Sequence, residues 1–254
     1  MLHSFTYNGH SSSEYGLYIT SKQSYNKPER NLTFVSIPGR NGDLIVDNGG
    51  YQNLDITLGL RLFAPQTTDD KIANFNAAYN QIAEWLKPTA DYYDYTDTYV
   101  PGYYRKAAIK SALQVTQKHY DIADFNLKLS CKPFKYRNDG AQAITIPGGG
   151  SSTYFTNPEN ETAAPIIRVF TDVEYNASTT TNHYFNINGQ AYLITNINGY
   201  VDIDCENMNA YKGADNMNSN LFFSEFPTLP PGKNRAKTGT NTSKLEIIPR
   251  WRAL

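Results

Sequence analysis

From Leu54 to Leu62 every even position is Leu or Ile, while the odd positions carry Asp, Thr, Gly and Arg. A period of two predicts a strand with one face in a core and the other wet or paired. Phe125, Leu127, Leu129 and Cys131 alternate in the same way with Asn126, Lys128, Ser130 and Lys132, which points Cys131 inward. A weaker alternation through Ile109, Leu113 and Val115 predicts a further strand running toward Tyr120. One segment changes period: Ile72, Phe75, Tyr79, Ile82 and Leu86 form an apolar stripe at helical spacing. Thr67 or Thr68 is the expected cap, Asp69 and Asp70 favour the positive end of the dipole, and Lys87-Pro88 closes a helix over about 68–87. The stripe reads as the core face of a helix laid on a sheet.

Between Lys132 and Pro165 the chain turns rich in Gly, Ser, Asn and Pro, the composition of a connection leading into a new domain. Gly148-Gly149-Gly150-Ser151 lacks the Gly-Lys-Ser/Thr that would make it a phosphate cradle. Beyond it Ile167, Val169 and Val173 alternate, and Asn188-Gly189 separates two strand-like runs. Asn-Gly supplies both positive φ angles of a type I′ turn, so a hairpin is expected there. With Tyr200–Glu206 this predicts three strands in a meander. The tail from Phe226 reads as a proline-bounded loop followed by one last strand, Lys244 to Ile248. These elements predict two domains, 1–138 and 139–254, both mainly β and the first carrying one helix.

Composition adds few constraints. The 254 residues carry 23 Lys and Arg against 24 Asp and Glu, so no one-sign field draws in nucleic acid or an anionic membrane. No uncharged apolar run is long enough to span a bilayer, and Met1-Leu2-His3-Ser4-Phe5 lacks the basic and apolar regions of a signal peptide. The two cysteines lie in strand-like segments assigned to different domains, so buried reduced thiols are expected. The 20 Tyr and 12 Phe suit β-rich cores and subunit contacts alike.

Candidate chemistry is sparse. His3, His10, His119 and His183 are scattered without metal-like spacing. Asp202, Asp204 and Glu206 occupy alternate positions, on one face of a strand, with Val201, Ile203 and Cys205 on the other. Side chains two apart on a strand stand about 7 Å apart at their bases, wider than the about 5 Å of a retaining glycosidase pair. An extended strand does not wrap a calcium ion. A solvated or subunit-facing strand edge is the expectation, with no catalytic group, metal or cofactor. In Ile37–Asn53, Gly39, Gly42, Gly49 and Gly50 predict turns on both sides of Leu44-Ile45-Val46. Arg40, Asp43 and Asp47 then lie near the turns, able to pair with one another or with a neighbouring chain.

The order of segments resembles the distal tail protein (Dit) family of long-tailed, non-contractile bacteriophages and prophages. The stretches "FTYNGHSSSEYGLYI", "IPGRNGDLIVDNGGYQN" and "FNLKLSCKPFKY" are similar to landmarks of its N-terminal domain. "NPENETAAPIIRV", "VDIDCENMNAYKG", "FPTLPPGKN" and "IIPRWR" are similar to those of its C-terminal domain. The resemblance covers nearly the whole chain. It implies a ring-forming β-barrel or sandwich-like domain with one helix, followed by a galectin-like β-sandwich. It also implies a virion structural protein rather than an enzyme, located at the tail tip and assembled in the host cytoplasm. Its partners would be copies of itself in a hexameric ring, single or doubled back to back, the tail tube protein, the tail-associated (Tal) protein and receptor-binding proteins. DNA would cross the bore without being gripped, and no membrane is involved. The alternative is a host cell-wall carbohydrate-binding adhesion module, against which stands the missing His-Asn-x-Arg and Trp signature of galectin sugar sites: Tyr184 and Phe185 follow His183. For the hub, Arg40, Asn41 and Asp43 of the glycine-punctuated corner and Tyr51 beyond it are candidates for inter-subunit or ring-stabilising contacts. The competing role for these four is to hold the loops of their own domain. Arg250 and Trp251 are candidates to anchor the last strand.

Overall fold

The computed structural model describes residues 2–23, 27–88, 90–176 and 178–254. Met1 of the N-terminal stretch considered above lies outside the described residues. The protein is mainly β and divides into two compact units, Met1–Lys135 with Leu254, and Tyr136–Ala253. Among the described residues no helix is long and apolar enough to cross a membrane.

The first unit contains, in chain order, β1 (Phe5–Tyr7), β2 (His10–Ser11), β3 (Leu17–Gln23), β4 (Arg30–Val35), β5 (Leu44–Tyr51), β6 (Leu54–Phe63), α1 (Lys71–Trp85), β7 (Tyr93–Asp97), β8 (Tyr103–Ile109), β9 (Gln114–His119) and β10 (Ile122–Arg137), whose last two residues pass into the second unit. Strand order in its large sheet is β2-β1-β7-β8-β10-β6-β3, with β9 also on β10. The sheet curls until an isolated bridge, His3 to Ile19, links its two ends. The alternation of β6 and β10 is realised as expected. Leu54, Ile56, Leu58, Leu60 and Leu62 are buried, and pair in antiparallel register with Cys131, Leu129, Leu127, Phe125 and Ala123. The segment around Ile109 and Val115 forms two strands, β8 and β9, rather than one.

Helix α1 sends Phe75, Ala78 and Ile82 into the same core, and Leu86 follows them just past its end. Ile72, the first residue of the anticipated stripe, is half exposed. The helix is shorter than expected, Lys71–Trp85, because its cap is Asp70 rather than a threonine. Asp70 Oδ1 accepts from the amides of Ile72 and Ala73 at 2.9 and 3.1 Å. Thr67 and Thr68 are held instead by buried Asn74, whose Oδ1 accepts from both hydroxyls and whose amide donates to Thr68 O. Trp85 donates Nε1–H to Tyr7 O at 3.0 Å and stacks on Phe5 and Tyr15.

The second unit is a β-sandwich. Its strands are β11 (Ile144–Pro147), β12 (Thr153–Asn157), β13 (Ile166–Phe170), β14 (Asn182–Ile187), β15 (Gln190–Thr195), β16 (Tyr200–Asp204), β17 (Asn209–Lys212), β18 (Asp215–Asn216), β19 (Gly232–Thr238) and β20 (Lys244–Ile248). One sheet runs β11-β20-β13-β16-β17-β18 and the other β12-β19-β14-β15. A single buried cluster joins them, with Val169, Val201 and Ile247 from the first sheet and Phe185, Ile194 and Ala236 from the second. Asn188 and Gly189 both have positive φ, so the β14–β15 hairpin forms as the dipeptide predicts. The meander does not continue. β16 pairs with β13 and β17 in the opposite sheet, so the segment after β15 crosses the sandwich. Val173 is exposed because β13 ends at Phe170. The Gly-rich connection contains β11 and β12, and the proline-bounded tail contains β19, none of which the apolar pattern announced. Both cysteines are free and buried.

Candidate interaction surface

Strands β4 and β5 form a two-stranded sheet of their own, joined to no other strand among the described residues. Phe34 pairs with Ile45, Val35 with Leu44, Thr33 with Val46 and Leu32 with Asp47. Neighbours along a strand point to opposite faces, yet Phe34 and Val35 are 60% and 41% exposed and Leu44, Ile45 and Val46 are 41%, 59% and 40% exposed. The ribbon therefore presents apolar side chains to solvent on both faces. None of them belongs to either core cluster.

The tip is built by the Pro-Gly pair. Arg40 N–H donates to Ile37 O at 3.1 Å and Gly39 has φ +81°, as a turn with Pro second and Gly third requires. Arg40, Asn41 and Asp43 stand exposed at this tip, and the side chain of none of them has a hydrogen bond or ion pair within the described residues. At the base Arg30 grips Asp47: Nε donates to Oδ2 at 3.1 Å, and Nη2 shares the same oxygen. The Arg30 hydrogen bond, followed by one from Gly49 N–H, holds the Asp47 carboxyl below its ordinary range. Asn48 ties the strands through Thr33 Oγ1 at 2.7 Å. Tyr51 lies under the Arg30 guanidinium, 5.8 Å from its ring centre, and meets Phe134 edge-on at 5.9 Å.

The four residues singled out in the sequence thus fall into two groups. Arg40, Asn41 and Asp43 share the tip, whereas Tyr51 is part of the base that fixes the ribbon to its own unit. Asp47 pairs with Arg30 rather than with Arg40. The residues that sequence reasoning passed over are Phe34, Val35 and Ile37. Their signal was an apolar run before Pro38 that mirrors Leu44-Ile45-Val46 after Gly42.

The acidic triplet is differently placed than expected. β16 is an interior strand, and Asp202 and Asp204 are 5% and 6% exposed. Arg168 binds Asp202 bidentately at 2.6 and 2.8 Å. Arg250 binds Asp204 bidentately at 2.7 and 3.0 Å and reaches Glu206 at 3.5 Å. Tyr136 Oη donates to Glu206 Oε1 at 2.6 Å. Burial pushes the Asp204 carboxyl up, but the hydrogen bonds and charge of Arg250, with the bonds from Asn207, leave it below its ordinary range. These carboxylates are acceptors saturated by fixed partners, an arrangement that anchors the chain end. Trp251 beside them is buried and packs near Phe155. Among the described residues no group of three or more His, Cys, Asp and Glu is placed to hold a metal ion.

No family model matches the sequence, and no curated protein does. Among solved structures, the chain is similar to the SPP1 Dit protein, described as a paradigm of the hub adsorption apparatus in phages that infect Gram-positive bacteria. The TM-score is 0.71 at 13% identity, over 100% of both chains. The likeness shows a shared fold along the entire length.

Proposed function

We propose that this protein is a structural subunit of a phage tail hub, and that the β4–β5 ribbon is the arm by which one copy grips the next. The observation that carries the reading is the ribbon's exposure of Phe34, Val35, Leu44, Ile45 and Val46 on both faces. A lone two-stranded ribbon is marginal in water, and an apolar surface of this kind marks a contact site. The fold shared with a phage hub protein supports a second copy as the occupant. An arm on one copy that docks on a different patch of the next makes a heterologous contact, which closes into a ring when the rotation allows. The finer reading is a hexameric ring made by a domain over 1–138, with a galectin-like domain over 139–254. The hub sits between the tail tube and the Tal and receptor-binding components, with DNA crossing the bore. A net charge of −1 suits a channel that passes DNA without holding it. Arg40, Asn41 and Asp43 at the tip then contribute inter-subunit polar contacts, and Tyr51 steadies the arm from its base.

Phe34→Ser with Ile45→Ser tests this. Fully burying either side chain contributes about 1.5–3 kcal/mol, and each is about 60% exposed. The pair then accounts for about 2–4 kcal/mol per interface, or a rise in Kd of roughly 30- to 700-fold. Light scattering and electron microscopy should show rings for the natural chain and monomers for the double variant at equal concentration, with unchanged melting. Arg40→Ala should weaken assembly more than it lowers monomer stability. A natural chain that stays monomeric alone and with tail-tube partners, or a double variant that still forms rings, overturns the reading.

A further inference from the structure

The outward face of the four-stranded sheet has an unusual charge. β19 points Asn234, Ala236 and Thr238 into the sandwich and Lys233, Arg235 and Lys237 outward. Across the ladder Tyr154 lies opposite Arg235, Thr156 opposite Lys233 and Asn186 opposite Lys237. No Asp or Glu occurs on β12, β14, β15 or β19. In the opposite sheet, by contrast, Arg168 pairs with Asp202 and Lys244 with Glu246, as Arg250 beyond it does with Asp204. Among the described residues, none of Lys233, Arg235 and Lys237 has an ion-pair partner. A chain of balanced overall charge has here concentrated three uncompensated cations in one line.

We infer that this face binds a linear phosphodiester polymer of polyol repeats, one phosphate to each cation of the row. Successive outward side chains on a strand stand about 6.6–7 Å apart. A polymer with six backbone bonds per phosphate, such as poly(glycerol phosphate), repeats at about 7 Å when extended, judged from ordinary covalent geometry. The row therefore matches its charge period without bending either partner. Arg235, at the centre, can take a phosphate with two parallel hydrogen bonds. Tyr154, 69% exposed, adds a hydroxyl and a ring face beside it. A single-stranded nucleic acid has a similar phosphate period but gains its affinity from aromatic platforms along its path. Here Tyr154 and Tyr184 lie on strands flanking β19 on opposite sides, so successive bases along the row meet no succession of platforms. An acidic protein partner would want an apolar centre to the patch, and the centre here is cationic. The inference concerns the second unit alone and stands whether or not the ribbon assembles rings.

The test is fluorescence anisotropy of labelled poly(glycerol phosphate) with the full chain at 50 and 200 mM salt. Oligothymidylate and polyglutamate of equal charge serve as parallel probes. With a slope of about −0.7 per phosphate, three contacts predict an affinity loss of roughly 20-fold between the two salts. Lys233→Gln, Arg235→Gln and Lys237→Gln together should weaken binding at least tenfold at 50 mM and flatten the salt dependence. Arg235→Gln alone should give a smaller loss in the same direction, and thermal melting should be unchanged in both. No binding at 50 mM salt, equal binding by the triple variant, or equal or tighter binding of oligothymidylate or polyglutamate overturns the inference.

Discussion

Arg250→Met isolates the energetics of the anchor at the chain end. Asp204 is 6% exposed, and its strong partner is the bidentate guanidinium of Arg250. Methionine keeps most of the volume and removes the charge, leaving a buried carboxylate with only the Asn207 and Glu206 donors. Breaking one side of a buried ion pair costs about 3–5 kcal/mol, which is the expected loss at pH 7. The loss should depend on pH with a definite sign. In the natural chain the folded Asp204 pKa lies below its unfolded value. Its contribution is therefore full above about pH 4 and is lost as pH falls through the folded value. Without Arg250 the opposing effect of burial is left, the folded pKa rises above the unfolded one, and the variant loses stability as pH rises through it. Between those two values the gap between natural chain and variant should shrink by about 1.4 kcal/mol for each unit the pH is lowered. The two tryptophans, Trp85 and Trp251, lie one in each unit. Urea unfolding in a Trp85→Phe background, followed by Trp251 emission at pH 4.5, 5.5 and 7, thus reads the second unit alone. Asp204→Asn added to Arg250→Met should recover part of the loss at pH 7. A gap below 1 kcal/mol at pH 7, or one that does not change with pH, would refute the assignment of Asp204 as a charge held in place by Arg250.

Two further substitutions probe local geometry. Asp70→Ala removes the acceptor for the Ile72 and Ala73 amides and should cost the first unit about 0.5–2 kcal/mol in denaturant unfolding, with Thr68→Ala no substitute for it. Gly140→Ala would set a methyl 2.6 Å from Trp251 N, so calorimetry should show the second unit destabilised by about 1–3 kcal/mol while the first is unmoved.

What the sequence made legible follows one physical rule. β6, β10, β20, the Asn188-Gly189 turn and the core stripe of α1 could be read because each sorts its residues between a core and water, and burial writes that sorting into the order of side chains. The Asp70 cap escaped because Thr67 and Thr68 offer equally good oxygens, and only the fold shows that Asn74 has claimed them. β16 escaped assignment to its sheet because a strand's alternation does not say which neighbour it pairs with. β19 escaped because its inward residues are Asn234, Ala236 and Thr238; Asn234 is buried through hydrogen bonds to Pro230 O, Gly232 O and the Asn188 amide rather than through apolar contact. β4 and β5 escaped for the opposite reason: both faces are apolar and both are exposed, so no contrast between faces exists to be read. The two surfaces proposed to meet partners, the ribbon and the cationic row, thus lie on strands that periodicity did not identify. An alternating pattern records only the solvent boundary of the folded chain. A surface completed by another molecule has its boundary elsewhere, and its residues are chosen against a partner that the sequence does not contain.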